Sequence, residues 1–293
     1  MYNQIASNKR KTNLLIVLFI AIVVGLGYLF GYLSGYGWIG VVPAAGISIV
    51  MALISYYSGD KIALSVSGAK EIQKEANPYV WQMVENLCIT SGMPFPKVHI
   101  ISDQAINAFA TGRDPQHASI AITEGAIQKL ENEELEGVIA HELSHINNYD
   151  IRVMTIVVVL VGVIALLSDF MLRFHVFGHG RDRDRAVHPL FLVIGIVLMI
   201  LAPIVAELIK LAVSRKREFL ADASGSLLTR YPEGLARALE KIAAENTPMS
   251  RANEATAHLY ISNPFGSSRQ WLTKLFSTHP PTEDRVKALR SMA

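Results

Sequence analysis

The chain has 293 residues, a formal net charge of +2, 51% hydrophobic residues and a mean hydropathy of +0.31. That is too apolar for an ordinary soluble domain, and so small a charge excess gives no reason to expect a nucleic-acid partner. A single cysteine, Cys88, excludes an internal disulfide and reads as a buried structural thiol suited to a reducing compartment.

The apolar residues gather in four blocks of near bilayer-crossing length, about Leu14–Leu33, Trp38–Ser58, Val153–Leu172 and Pro189–Val213. The first follows Lys9-Arg10-Lys11, as a signal peptide's core would. Its run is too long for that and a second block follows at once, so it reads as a retained anchor. The Ser34–Gly37 connection carries no charge, whereas Lys9, Arg10, Lys11 and Lys61 flank the outer ends. The positive-inside rule therefore puts the N-terminus and the segment after Gly59 in the cytoplasm, and Arg215-Lys216-Arg217 agree. Arg173, Arg181, Arg183 and Arg185 between the third and fourth blocks disagree. That pair either crosses despite its charges or forms a hairpin that does not cross fully, and Asp169 and Glu207 weaken a strict span further.

After the first pair, residues 59–78 read as a mixed linker and short helix. Tyr79–Ser91 has the pattern of an amphipathic helix, ended by Gly92 and Pro94. Three extended pieces follow, Lys97–Ile101, Asn107–Gly112 and Ser119–Thr123, which together predict a small sheet. Leu135, Val138 and Ile139 then recur at helical spacing and lead into His141-Glu142-Leu143-Ser144-His145. On a helix, His141 and His145 lie one turn apart on one face, so both imidazoles reach the same ion. Histidine ligands with an open position suit zinc. Glu142 stands beside them, placed to take a proton from an attacking water and carry it onward. No Pro or Gly separates His145 from the third apolar block, so this helix is expected to run on toward the membrane.

Two histidines do not complete a catalytic zinc site. Beyond the fourth block, 214–228 and 231–245 read as helices, and the first carries Arg217-Glu218-Phe219-Leu220-Ala221-Asp222. Glu218 and Asp222 are one turn apart and face the same way. A membrane hairpin between the two helices returns Glu218 to the histidines, with Asp222 supporting the site by accepting a histidine N–H. Two alternatives stay open. The two carboxylates can simply solvate a helix beside Arg215, Lys216 and Arg217, or the third ligand can be one of His175, His179 and His188. The expected organisation is an N-terminal membrane hairpin (1–59), a discontinuous soluble domain (60–150 and 214–293), and a second hairpin (151–213) inserted in it.

Asn107-Ala108-Phe109-Ala110-Thr111-Gly112, the His141–His145 motif, Arg217–Asp222 and His279-Pro280-Pro281 occur in this order. With the membrane blocks they resemble the HtpX branch of the M48 zinc metallopeptidases over nearly the whole chain. The resemblance implies an α+β fold: a mainly helical, gluzincin-type protease domain with a small sheet, plus about four transmembrane helices in two hairpins. It implies a bacterial inner-membrane endopeptidase of membrane-protein quality control and stress response, its site facing the cytoplasm. By the same resemblance His141, His145 and Glu218 match the zinc ligands, one ion per chain, and Glu142 the catalytic acid/base.

Beside it, Asn107, Ala108, Phe109 and Ala110 read as an exposed edge strand on which an extended substrate adds by backbone hydrogen bonds; an ordinary core strand is the alternative. His279, held by two prolines, is a candidate oxyanion donor, and Arg285 a candidate to steady that segment or pair with Asp222. His99, His117 and His258 are read as structural or solvent-facing. The expected partners are protein substrates, mainly membrane proteins, and the lipid bilayer; the sequence leaves a homo-oligomer open. Two rivals are a prenyl-peptide protease, which the small number of spans opposes, and a non-catalytic scaffold, in which Glu142 has no purpose.

Overall fold

The computed structural model describes residues 2–33, 37–162, 215–245, 247–253, 255–266 and 280–292. The fourth apolar block, the latter half of the third, the histidines and arginines between them, and His279 lie outside these residues.

Two long helices open the chain, α1 (Tyr2–Leu33) and α2 (Val41–Ser67), joined through a 3-10 turn at Gly37–Gly40. Val41–Ser67 is, among the described residues, long and apolar enough to cross a membrane, and only 17% of its most apolar window is buried. Trp38, Ile39, Val42 and Val50 all stand exposed. A soluble protein rarely leaves so much contiguous apolar surface uncovered. α2 continues past the expected end of its apolar block and stops at Gly68, whose φ of +68° suits a residue without Cβ.

After α2 comes β1 (Ala69–Glu71), a strand that the sequence pattern does not reveal because three residues are too few to show a period. It is followed by α3 (Pro78–Ser91), β2 (Lys97–Ile101), β3 (Ala108–Asp114), β4 (His117–Thr123), α4 (Glu124–Lys129) and α5 (Asn132–Asn147). α3 starts where Asn77 accepts from Val80 N–H and Pro78 takes the first turn, and it ends at Gly92 with φ +67°. The sheet order is β1-β2-β4-β3, with β2 and β4 parallel and both outer pairs antiparallel. β3 is thus an edge strand.

α5 is the central element. At its start the Glu134 carboxylate accepts from Glu131 N–H at 2.8 Å and meets Lys241 Nζ at 2.7 Å. Its Leu135, Val138, Ile139, Leu143 and Ile146 form the main core with Val80, Val84 and Leu87 of α3 and Ile120 and Ile122 of β4. Cys88 is buried here, and burial pushes its thiol up to about 11.

α5 does not run on into the third apolar block as expected. It ends at Asn147, Tyr149 takes a left-handed φ of 59°, and a new helix, α6, starts at residue 150 and is described to 162. Neither Pro nor Gly makes this break. A left-handed tyrosine costs energy, and the hydrogen bonds described below hold it. α6 packs Val153, Ile156, Val157 and Leu160 against Leu15 and Phe19 of α1.

After the undescribed stretch come α7 (Arg215–Thr229), α8 (Pro232–Glu245) and α9 (Thr282–Arg290). Two glycines let these helices lie against α5. A Cβ on Gly137 would sit 2.7 Å from Leu235 N, and one on Gly225 3.0 Å from His141 N and 3.1 Å from Ala140 C. Because backbone cannot move aside cheaply, Gly225→Ala is expected to cost about 1–3 kcal/mol, read as a lowered melting temperature.

Candidate active site

His141 and His145 project from one face of α5, and their Nε2 atoms lie 3.2 Å apart with the rings nearly perpendicular. Glu218, in the first turn of α7, meets them: Oε2 is 3.8 Å from His141 Nε2 and Oε1 3.6 Å from His145 Nε2. The three side chains are buried, and their ligand atoms all lie within 4.8 Å of one another.

Each imidazole turns its other nitrogen to a carboxylate. His141 Nδ1 lies 3.0 Å from Asp222 Oδ1, and His145 Nδ1 lies 3.0 Å from Asp150 Oδ2. The Asp150 contact is a hydrogen bond that orients the His145 ring, the Asp222 carboxylate lies behind His141, and both Nε2 atoms face the common point. Two imidazoles and one carboxylate so arranged are a donor set that suits zinc with a position left open. Asp150 escaped the sequence reading. It lies five residues past His145, and only the break at Tyr149 brings it back.

Behind the ligands is a buried ionic layer. Arg285 of α9 grips Asp222 with two bonds, Nε to Oδ2 at 2.9 Å and Nη2 to Oδ1 at 2.7 Å, and its Nη1 lies 3.9 Å from Glu218. Arg217, which the sequence marks only as one of the positive charges after the fourth apolar block, is buried with Nη1 3.4 Å from Asp150. Asp222, against its burial, is held down at about 2, chiefly by the Arg285 guanidinium. Burial drives His141 down to about 4. His145 moves the other way: burial opposes it, but the Asp150 hydrogen bond and the Glu218 charge hold its proton up to about 9.

Glu142 projects from the same helix on the side that packs against β3, where the Ala110 backbone N–H favours its charged form. Burial pushes its carboxyl up to about 7, a value at which one group can accept and return a proton near neutrality.

β3 is at the sheet edge but is not exposed; Ala108, Phe109, Ala110 and Thr111 are buried. The pairing with β4 turns the backbone groups of Ala108, Ala110 and Gly112 outward. The chain itself occupies them. Ile261 N–H donates to Ala108 O at 3.0 Å, Gly112 N–H donates to Thr155 Oγ1 at 3.1 Å, and Ala110 N–H faces Glu142. The Asn107 carboxamide adds bonds with Ser262 O at 3.0 Å and Ser262 N at 3.4 Å. Sequence pattern marks a strand but not what lies across its free edge, so the expectation of an open edge is corrected. Of the histidines set aside, His258 is buried with Nε2 3.0 Å from Met154 O, His99 is buried on β2, and His117 sits exposed beside Asp114.

A two-histidine, one-glutamate cluster on two packed helices, with a second glutamate beside a strand edge, is the arrangement of a metalloprotease. The profile of peptidase family M48 matches residues 74–293. The chain is 48% identical to a protease HtpX homolog of Lactobacillus helveticus, with all of both chains covered, and 46% identical to one of Tropheryma whipplei, covering 100% of this chain and 98% of that one. The chain therefore belongs to peptidase family M48, in its HtpX branch. Its fold is also that of the Ste24p crystal structure from S. mikatae, at a TM-score of 0.52 and 16% identity, over 99% of this chain and 67% of that one.

Proposed function

We propose that this metalloprotease is a multi-pass, zinc-dependent endopeptidase of the bacterial inner membrane that cleaves misfolded or damaged membrane proteins, as part of a stress response, with its site on the cytoplasmic side. The observation that carries it is the convergence of both Nε2 atoms and the Glu218 carboxylate beside a glutamate aimed at a strand edge. The exposed apolar face of α2 supports the membrane setting. In this reading 1–59 is an anchor hairpin, and 151–213 a second hairpin inserted between the protease segments 60–150 and 214–293. The site then stands against the bilayer, where membrane-protein segments are the nearest substrates.

His141, His145 and Glu218 would hold the zinc, which when bound supplies Lewis acidity toward the scissile carbonyl and toward water. Asp222 and Asp150 keep the two imidazoles in the ligating orientation. Glu142 takes the proton of the attacking water and delivers it to the leaving amine. An extended substrate adds along Ala108–Ala110 by taking the place of Ile261 on Ala108 O. His279 is the proposed donor to the developing oxyanion.

The test is cleavage of an unfolded model protein by the purified full-length enzyme in bilayers. A chelator is expected to abolish cleavage, and stoichiometric zinc, but not magnesium, to restore it. Cleavage indifferent to chelation would overturn the zinc assignment.

A further inference from the structure

The first helix does more than anchor the chain. Asn8 lies before the apolar block of α1, among residues whose sequence shows only positive charge. It is nonetheless 2% exposed and uses both N–H groups of its carboxamide. One donates to Asn148 O at 2.9 Å and the other to Asp150 Oδ1 at 2.7 Å, contacts spanning 140 and 142 residues of sequence. Those two acceptors flank Tyr149, the left-handed residue at which α5 breaks and α6 begins.

The consequence for His145 is geometric. Asp150 has two oxygens: Oδ1 receives Asn8 and the longer contact from Arg217, and Oδ2 is left for His145 Nδ1. A carboxylate held on one oxygen cannot swing its plane, so the other stays aimed at the imidazole. By bridging Asn148 O and Asp150, the same carboxamide also clamps the chain reversal that brings Asp150 back to α5. Asn8 is itself placed by the packing of Leu15 and Phe19 against α6.

We propose that Asn8 is a positioning residue of the metal centre: acting through Asp150, it sets the orientation of His145, so the N-terminal anchor is part of the zinc site. This rests on the zinc reading above.

The experiment is zinc affinity of the metal-free, full-length protein in bilayers, measured by competition with a chelator of known affinity, with the cobalt-substituted absorption spectrum as a second readout. Partners behind metal-bound histidines are worth about 10–100-fold in affinity. Asn8 acts one contact further out, so Asn8→Leu is expected to lose about tenfold and to shift the cobalt bands. Thr12→Val, buried one turn along the same helix, is expected to change neither. In an Asp150→Ala background, Asn8→Leu is expected to cost nothing more, because the route to His145 is already cut.

Wild-type affinity in Asn8→Leu overturns the proposal. So does a loss that persists undiminished in the Asp150→Ala background, or one matched by Thr12→Val, either of which marks a packing role. A variant that melts early without metal and loses affinity equally in both backgrounds counts against it in the same way. Wild-type protein that binds no zinc would overturn the metal reading itself.

Discussion

Glu142→Gln is expected to leave the protein folded and zinc-loaded while lowering peptide cleavage by about a thousandfold. The amide keeps the shape of the buried carboxyl and an oxygen on the side of Ala110, so the packing of α5 on β3 is kept. It removes only the capacity to hold a proton. Positioned acid–base groups contribute about 10²–10⁴-fold, and here one group serves both the attack and the departure of the amine. Metal content by mass spectrometry and the melting temperature separate this from a damaged site. Cleavage at the wild-type rate would mean that another group moves the proton.

The second large effect is on stability. Arg285 is 2% exposed and faces Asp222, Glu218 and Glu142. Arg285→Ala would leave those carboxylates without their buried countercharge, a situation that costs about 3–5 kcal/mol. The expected outcome is a strongly lowered melting temperature of the metal-free protein, recovered in part by zinc because binding favours the folded form. Arg285→Lys should rescue little, since an ammonium cannot reproduce the two-bond grip on Asp222 at 2.9 and 2.7 Å. Combining Arg285→Ala with Asp222→Ala should cost less than the sum of the two, as contacting groups couple. Additive losses would show that the pair carries no mutual stabilisation.

These two predictions draw on features of different legibility. Glu142 announces itself, because a helix of 3.6 residues per turn converts the spacing of His141 and His145 directly into one face. Glu218 and Asp222 follow by the same rule once a returning helix is assumed. Asp150 does not, because its role depends on a chain break at Tyr149 that neither Pro nor Gly marks. The cover over β3 was equally hidden. An alternating apolar pattern reports that a strand has a buried face, but Ile261 and Ser262 reach Asn107 and Ala108 from about 155 residues away.

What could be read from the chain directly is what short-range geometry controls: helices, strands, apolar blocks, and side chains one turn apart. Each depends on residues within a turn or two, whose spacing the backbone dictates. The buried network of Asp150, Arg217, Arg285 and Asn8 belongs to another level. Its members come from α1, α6, α7 and α9, and they meet because packing of distant apolar faces leaves no water to satisfy their charges. Each polar group had to find a partner wherever folding delivered one, and no local pattern records that choice.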